Sequence, residues 1–101
     1  MDNNQDSPKE KLRVVVSTEH KEGTITVKGV VENESDDVVC LEELTALYKN
    51  FDGFVVDIDR MEYKFDLPSG DKFPFRFPER HAPINCYTYE VVLSKFQVKN
   101  F

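Results

Sequence analysis

Long hydrophobic runs and an excess of basic residues are both missing from this sequence. No apolar stretch approaches the roughly 20 residues of a membrane-spanning helix, and no signal-peptide core is present, so we expect no membrane span within this chain. Lys and Arg number 13 against 19 Asp and Glu, which gives a formal net charge of −6. Since phosphate backbones and anionic lipids attract basic surfaces, this charge argues against nucleic acid and membrane surfaces as partners.

Cysteine is scarce, and tryptophan is absent. The two cysteines, Cys40 and Cys86, are too far apart in the sequence to form the close pairs that are typical of zinc and redox sites. They are either two buried thiols of a reducing compartment or one disulfide between strands. The sequence leaves both alternatives open, because it does not give the separation of the two Cα atoms.

Histidines and carboxylates are too dispersed to predict a catalytic or metal site. His20 and His81 lie in separate predicted loops without further ligands nearby. Asp57 and Asp59 share one face of a predicted strand, where solvent exposure or protection of a sheet edge is the simpler role. The acidic turn Asn33–Asp37 lacks the ligand spacing of a calcium loop. We therefore expect no enzymatic activity, no bound metal and no cofactor.

The sequence is rich in alternating hydrophobicity and regularly spaced turn residues. Apolar residues take every second position along much of Thr24–Asn33, the period-two pattern of a strand with one buried side. Gly29 lies in the middle of that buried side, where glycine indicates a bulge or the close approach of a large neighbour. The predicted strands are Leu12–Thr18, Thr24–Asn33, Val38–Tyr48, Phe54–Asp59, Arg60–Phe65, Asp71–Pro78 and Cys86–Phe96.

The stretch Leu47–Val56 predicts a central hairpin. Its loop, Asn50–Gly53, ends in Asp-Gly, and Gly53 can take the positive φ that closes such a turn. The hairpin residues expected in the core are Leu47, Phe54 and Val56. In the strand before the turn, simple alternation would bury the Glu43 carboxylate, so we expect a bulge near Glu42–Glu43 that returns this side chain to solvent.

About seven short strands, joined by turns at intervals of roughly ten residues, are typical of an antiparallel β-sandwich of the immunoglobulin or fibronectin-III type. We place this sandwich at residues 12–98 and interpret the polar residues 1–11 as a flexible N-terminal tether. Pro74 and Pro78 cannot donate ladder hydrogen bonds, so the strand Asp71–Pro78 is expected at a sheet edge or in a short pairing. The hallmark tryptophan of antibody domains is missing, so we expect the architecture without the antibody signature.

Five short segments follow one another in a recognisable order, namely Gly29–Asn33, Leu41–Tyr48, Asp52-Gly53, Leu67–Gly70 and Phe73–Phe75. This order resembles that of FxLYD domains, a family of small β-sandwich modules. Leu47 and Tyr48 match the motif that names the family, whose Phe and Asp positions hold Thr45 and Lys49 here. The resemblance implies a bacterial or archaeal module, often outside the membrane on lipoproteins or other anchored proteins, and it implies no catalytic residues.

Phe51, at the tip of the central turn, is the one residue whose hydrophobicity the predicted fold does not explain. Together with Tyr63, Phe73 and Tyr87, it is our candidate for contact with another protein. We expect a non-enzymatic, extracytoplasmic binding or spacer module of a cell-surface or anchored prokaryotic protein. The alternative is a cytoplasmic inhibitor or regulatory partner that acts through exposed loops, such as Asn50–Gly53 or Glu79–Ile84. The sequence leaves the oligomeric state open.

Overall fold

Seven β-strands and their turns make up the part of the chain that this computed structural model describes, residues 11–99. The strands are β1 Leu12–Lys21, β2 Thr24–Asn33, β3 Val38–Lys49, β4 Val55–Leu67, β5 Lys72–Arg76, β6 Arg80–His81 and β7 Thr88–Lys99. Within residues 11–99, no helix has the length and apolar character needed to cross a membrane. The predicted tether lies outside the described residues, except for Lys11.

The strands form two antiparallel sheets that pack as a sandwich. β2 is the centre of the first sheet, between β1 on one side and β5 and β6 on the other. β3 is the centre of the second sheet, between β4 and β7. This arrangement confirms the predicted antiparallel sandwich of about seven strands, and it confirms that β5, which contains Pro74, is an edge strand.

Most predicted strands are present, with some changes of their bounds. Thr24–Asn33 is β2 with the predicted ends. β4 is one strand of 13 residues where the sequence predicted two, because Arg60 continues the ladder opposite Thr45 without a turn. β1 is longer than predicted, so His20 pairs with Ile25 in the ladder instead of lying in a turn. β7 begins and ends later than predicted.

The two central strands supply most of the core. Apolar side chains of β2 and β3 face each other between the sheets, with contributions from β4, β7 and the segment around β5. The buried core residues are Ile25, Val27, Val31, Val39, Leu41, Leu44, Ala46, Tyr48, Leu67, Phe75, Phe77 and Val91. Removal of this apolar surface from water is the dominant favourable contribution to the free energy of folding.

The alternation of β3 is interrupted once, between Leu41 and Leu44, which both face the core. The registers of β3 with β4 and with β7 shift at this point, so the predicted bulge near Glu42 and Glu43 is confirmed. The expected return of Glu43 to solvent is wrong, because this residue is only 7% exposed. Its Oε1 atom accepts a hydrogen bond from the Ser94 hydroxyl of β7 at 2.7 Å, so the shielded carboxylate has a partner.

The core positions predicted for the central hairpin are wrong, because this interruption exchanges the two faces of β3. Beyond it, Ala46 and Tyr48 are buried in the core, and Leu47 is only half-buried on the opposite face. Phe54 and Val56 are exposed. A shift of one residue in the alternation moves every following side chain to the other side of the sheet.

The hairpin itself is confirmed, and its turn is closed by several hydrogen bonds. The Gly53 N–H donates to the Asn50 carbonyl oxygen at 3.0 Å, and Gly53 has a φ of 88°. The Asn50 side-chain Oδ1 accepts the backbone N–H groups of Asp52 and Phe54, each at 3.0 Å. An asparagine side chain that binds the backbone ahead of it stabilises a turn of this kind.

Gly53→Ala should lower the free energy of unfolding by about 1 kcal/mol. A Cβ atom at Gly53 would meet nothing within 4 Å, so the loss comes from holding alanine at positive φ and not from a clash. Urea unfolding measures the effect, and Gly23→Ala, in an equally open turn at φ 77°, is expected to behave alike. An unchanged unfolding midpoint in Gly53→Ala would contradict the turn described here.

Candidate functional site

Two loops meet at one end of the sandwich. The β3–β4 turn carries Phe51, and the segment before β7 carries Tyr87, whose backbone N–H donates to the Lys49 carbonyl oxygen at 2.7 Å. The rings of Phe51 and Tyr87 pack edge to face, with centroids 5.0 Å apart and planes at 70°. The structure therefore brings together two of the predicted contact residues.

Apolar side chains are concentrated at this end and remain in solvent. Phe51 is 77% exposed and Tyr87 is 63% exposed. Phe54, from the same turn, and Ile84, from the segment before β7, are 69% and 86% exposed. We call these four residues the apolar tip. Large apolar side chains that are grouped on a surface, and not scattered singly, mark interaction sites.

Both loops of the apolar tip are short and hydrogen-bonded. In the segment before β7, the Cys86 N–H donates to the Pro83 carbonyl oxygen at 3.2 Å and closes a turn. Asn85 has a φ of 65° in this turn, a conformation that asparagine tolerates better than most residues. A cleft of about 420 Å³ separates this turn from the β3–β4 turn. A surface held in this way loses little conformational entropy when a partner binds.

The other two predicted contact residues form a separate pair. Tyr63 on β4 and Phe73 on β5 pack edge to face with centroids 5.1 Å apart, and the Phe65 ring lies 4.7 Å from Phe73. Tyr63 and Phe73 are half-buried against the core, and burial raises the pKa of the Tyr63 hydroxyl. Tyr63 is roughly 25 Å along β4 from Val55, the first residue of that strand after the tip. This pair closes an edge of the sandwich and is not part of the apolar tip.

A polar cluster that the sequence did not reveal lies at the same end of the sandwich as the apolar tip. Arg80 of β6 binds Asp57 through Nη2 at 2.7 Å and Asp59 through Nη1 at 3.1 Å. The Tyr48 hydroxyl donates to Asp59 at 2.6 Å, and the guanidinium lies 4.8 Å from the centre of the Tyr48 ring. The cluster joins β3, β4 and β6 immediately before the segment that carries Ile84 and Tyr87.

The prediction that Asp57 and Asp59 lie on the solvent face is wrong, because they pair with core-facing residues of β3 and bind Arg80. The alternative, protection of a sheet edge, fits the position of β4 at the edge of the second sheet. The hydrogen bond from Arg80, helped by the Ile58 N–H, holds the pKa of Asp57 below its usual range. The same bond raises the pKa of Arg80, and burial followed by the bond to Asp59 raises the pKa of Tyr48. Each shift moves the pKa of the group further from neutral pH, whereas a general acid or base needs a pKa near neutral pH. The cluster therefore fits a structural role.

Cys40 and Cys86 are free thiols near opposite ends of β3, so the disulfide alternative is wrong. Cys40 pairs with Gln97, whereas Cys86 precedes Tyr87, which binds Lys49 at the other end of the strand. The length of β3 between Cys40 and Lys49 is roughly 30 Å, and a disulfide needs Cα atoms within about 7 Å. Burial raises the pKa of the Cys40 thiol, which makes it a poor nucleophile.

In the described part of the chain, no group of three or more His, Cys, Asp or Glu side chains is placed to hold a metal ion. The His20 ring lies 6.0 Å from the Tyr89 ring, and the His81 Nδ1 atom lies 3.4 Å from the Gly23 carbonyl oxygen. The acidic turn after β2 uses the Asp37 carbonyl oxygen within its own hydrogen bonds.

Comparison of the chain with protein-family models, with curated proteins and with solved structures found no match. The resemblance to FxLYD domains therefore stays a prediction, and function has to be inferred from geometry. The apolar tip and the polar cluster beside it are the two features of this geometry that a β-sandwich as such does not require.

Proposed function

We propose that this domain is a non-enzymatic binding module that docks a partner protein on its apolar tip. The observation that carries the proposal is the contact of Phe51 with Tyr87, two aromatic side chains from separate loops that touch each other and are still mostly exposed. Rings left in water add little to the stability of a domain. Clustered aromatic side chains are, by contrast, enriched among the residues that dominate the binding energy of protein interfaces.

We further propose that the module belongs to a cell-surface or anchored prokaryotic protein, as the FxLYD resemblance implies. The path of the chain supports this setting. The start of β1 pairs with Asn33, and the end of β7 pairs with Val38, so both lie at the end of the sandwich opposite the apolar tip. A domain connected at that end presents the tip away from its attachment.

A cytoplasmic inhibitor or regulatory partner is the alternative function, and one observation favours it. Both cysteines are free thiols, as is usual for proteins of reducing compartments. The loops expected to act in that case, Asn50–Gly53 and Glu79–Ile84, include residues of the apolar tip. The two functions therefore use one surface and differ in compartment. Protease accessibility of the tagged protein in intact and in lysed cells distinguishes them.

The double variant Phe51→Ser/Tyr87→Ser should stay folded and bind its partner at least about tenfold more weakly. Because both rings are exposed, the free energy of unfolding should change by less than about 1 kcal/mol. A photoreactive phenylalanine analogue at position 51, in cells that make the protein, captures and identifies the partner. Calorimetry with that purified partner then compares the wild type with the double variant.

Val15 provides the matched control, because it is an exposed apolar residue on the outer face of β1. Val15→Ser should leave the affinity for the partner unchanged, and a photoreactive side chain at position 15 should not capture the same protein. If the double variant binds as tightly as the wild type, the tip is not the binding surface. Capture of the same proteins at both positions would exclude a specific partner and leave the spacer function.

A further inference from the structure

The two sides of the sandwich, where the edges of the sheets meet, differ in how they are protected. On one side, β4 carries Asp57 and Asp59 on its core face, and the adjacent edge strand β5 contains Pro74. Inward charges and proline both discourage the addition of another strand. On the other side, β7 has neither proline nor glycine in its 12 residues, and its core face is apolar. The side formed by β1 and β7 has neither an inward charge nor a proline, and in this sense it is the unprotected side.

An apolar groove of about 520 Å³ lies along this unprotected side, between β1 and β7. Its apolar lining comes from β1 at Leu12 and Val14 and from β7 at Val91, Leu93 and Phe96. Among the described residues, β3 is the only strand that pairs with β7, so the other edge of β7 offers free backbone hydrogen-bonding groups. A strand laid along this edge would satisfy those groups and cover the groove.

We propose that the strand laid there is β7 of a second copy of this chain. The two β7 strands run antiparallel about a two-fold axis that passes between Ser94 and Lys95, and the two three-stranded sheets become one sheet of six strands. Because each copy uses the same edge, the assembly closes at two copies and does not grow into a fibre. The apolar tip is not part of this contact, so the dimer and the proposed binding function are independent.

A break in the alternation of β7 allows this register. A regular strand cannot pair with a copy of itself about a point between neighbouring residues, since paired residues would then lie on opposite faces. In β7 the alternation breaks at that very point: Ser94 and Lys95 are both exposed, whereas Leu93 and Phe96 both pack toward the core. The core-side pairs across the axis are Val91 with Val98 and Leu93 with Phe96. These side chains place an apolar row over the groove of each copy.

Toward the two ends of the contact, the charges on the outer face favour a second copy over an unrelated strand. In this register Glu90 of one copy faces Lys99 of the other, and by symmetry the pair occurs twice. Within one copy, Glu90 already pairs with Lys49 of β3, and Lys99 pairs with Asp66 of β4. The dimer therefore adds a second partner of opposite sign to both residues, and opposite charges directly across from each other stabilise paired strands.

Glu90→Lys and Lys99→Glu test this register, separately and together. In either single variant both contacts across the axis become repulsive, so the dissociation constant of the dimer should rise about tenfold. In the double variant the contacts between copies return with reversed sign, and the dissociation constant should fall most of the way back. The contacts of these residues with Lys49 and Asp66 stay broken in the double variant, so recovery reports contacts between copies alone.

Sedimentation equilibrium from micromolar to millimolar protein measures the association, and thermal unfolding shows that each variant is folded. Hydrogen exchange on the wild type needs no variant: protection of β7 amides should increase with protein concentration, and protection of β4 amides should not. A monomer over the whole concentration range overturns the proposal. So does a dimer that the single variants leave unchanged, that the double variant does not restore, or that Phe51→Ser weakens, because such a dimer uses another surface.

Discussion

Gly29→Ala should lower the free energy of unfolding by about 3 kcal/mol or more. A Cβ atom at Gly29 would overlap the Val15 carbonyl oxygen of β1 and would lie 2.8 Å from the Cζ atom of the Phe75 ring. The ring can move by a small rotation, but the carbonyl belongs to the β1–β2 ladder and cannot retreat without displacing β1. Since interiors are closely packed, neither movement is free of cost.

The cause of this sensitivity is the position of Gly29 at the centre of the first sheet. It pairs with Val16 on β1 and with Phe75 on β5, and the absence of its side chain leaves the space that the Phe75 ring occupies. Equilibrium urea unfolding of Gly29→Ala and of Gly53→Ala gives the comparison. Both variants add one methyl group, but only in Gly29→Ala does this group meet atoms of neighbouring residues. Equal losses in the two variants would contradict the close approach at Gly29.

Local patterns predicted the strands well, because the alternation of β2 and the turn at Gly53 depend only on neighbouring residues. Of the two roles predicted for Gly29, a bulge or a close approach, the close approach is confirmed, although Val15 and Phe75 could not be identified from the sequence. Phe75 comes from β5, which is distant from β2 in the chain, and no local pattern reports which distant strands become adjacent. The same limit applies to Phe51, whose exposure follows from its turn but whose contact with Tyr87 does not.

The faces of β4 were assigned wrongly for a related physical reason. Apolar character favours Val56 and Ile58 over Asp57 and Asp59 as inward residues, and an isolated strand would follow that preference. The face is decided instead by the pairing with β3, whose alternation breaks before Thr45. The Asp-x-Asp spacing was the available signal for the polar cluster, and its third member, Arg80, enters through a strand of only two residues.

Asn33→Ala is the second variant for which we expect a large loss, about 3 kcal/mol of unfolding free energy. The residue is 1% exposed. Its Nδ2 group donates to the carbonyl oxygens of Asp37 at 2.8 Å and Leu67 at 3.0 Å. Its Oδ1 atom accepts the backbone N–H of Ser35 at 3.0 Å and the Ser35 hydroxyl at 2.6 Å. One side chain thus ties the end of β2, in the first sheet, to the end of β4, in the second.

Asn50 is the matched control, because it makes the same kind of side-chain hydrogen bonds in an exposed turn. Its Oδ1 atom accepts two backbone N–H groups, those of Asp52 and Phe54. In Asn50→Ala water replaces the lost acceptor, so the loss should be below about 1 kcal/mol. In Asn33→Ala the buried groups of Ser35 and Leu67 lose their partner where water has little access, and such groups are expensive to leave unpaired.

Urea unfolding of the two asparagine variants separates burial from the number of hydrogen bonds. The Asn33 side chain makes four hydrogen bonds, and the Asn50 side chain makes two. If hydrogen bonds contributed equally wherever they occur, Asn33→Ala would therefore lower the free energy of unfolding about twice as much as Asn50→Ala. We expect a ratio of at least about three, because the penalty arises from unpaired groups in a dry interior. Equal losses would show that water reaches the turn after β2, and that Asn33 does not hold the two sheets together.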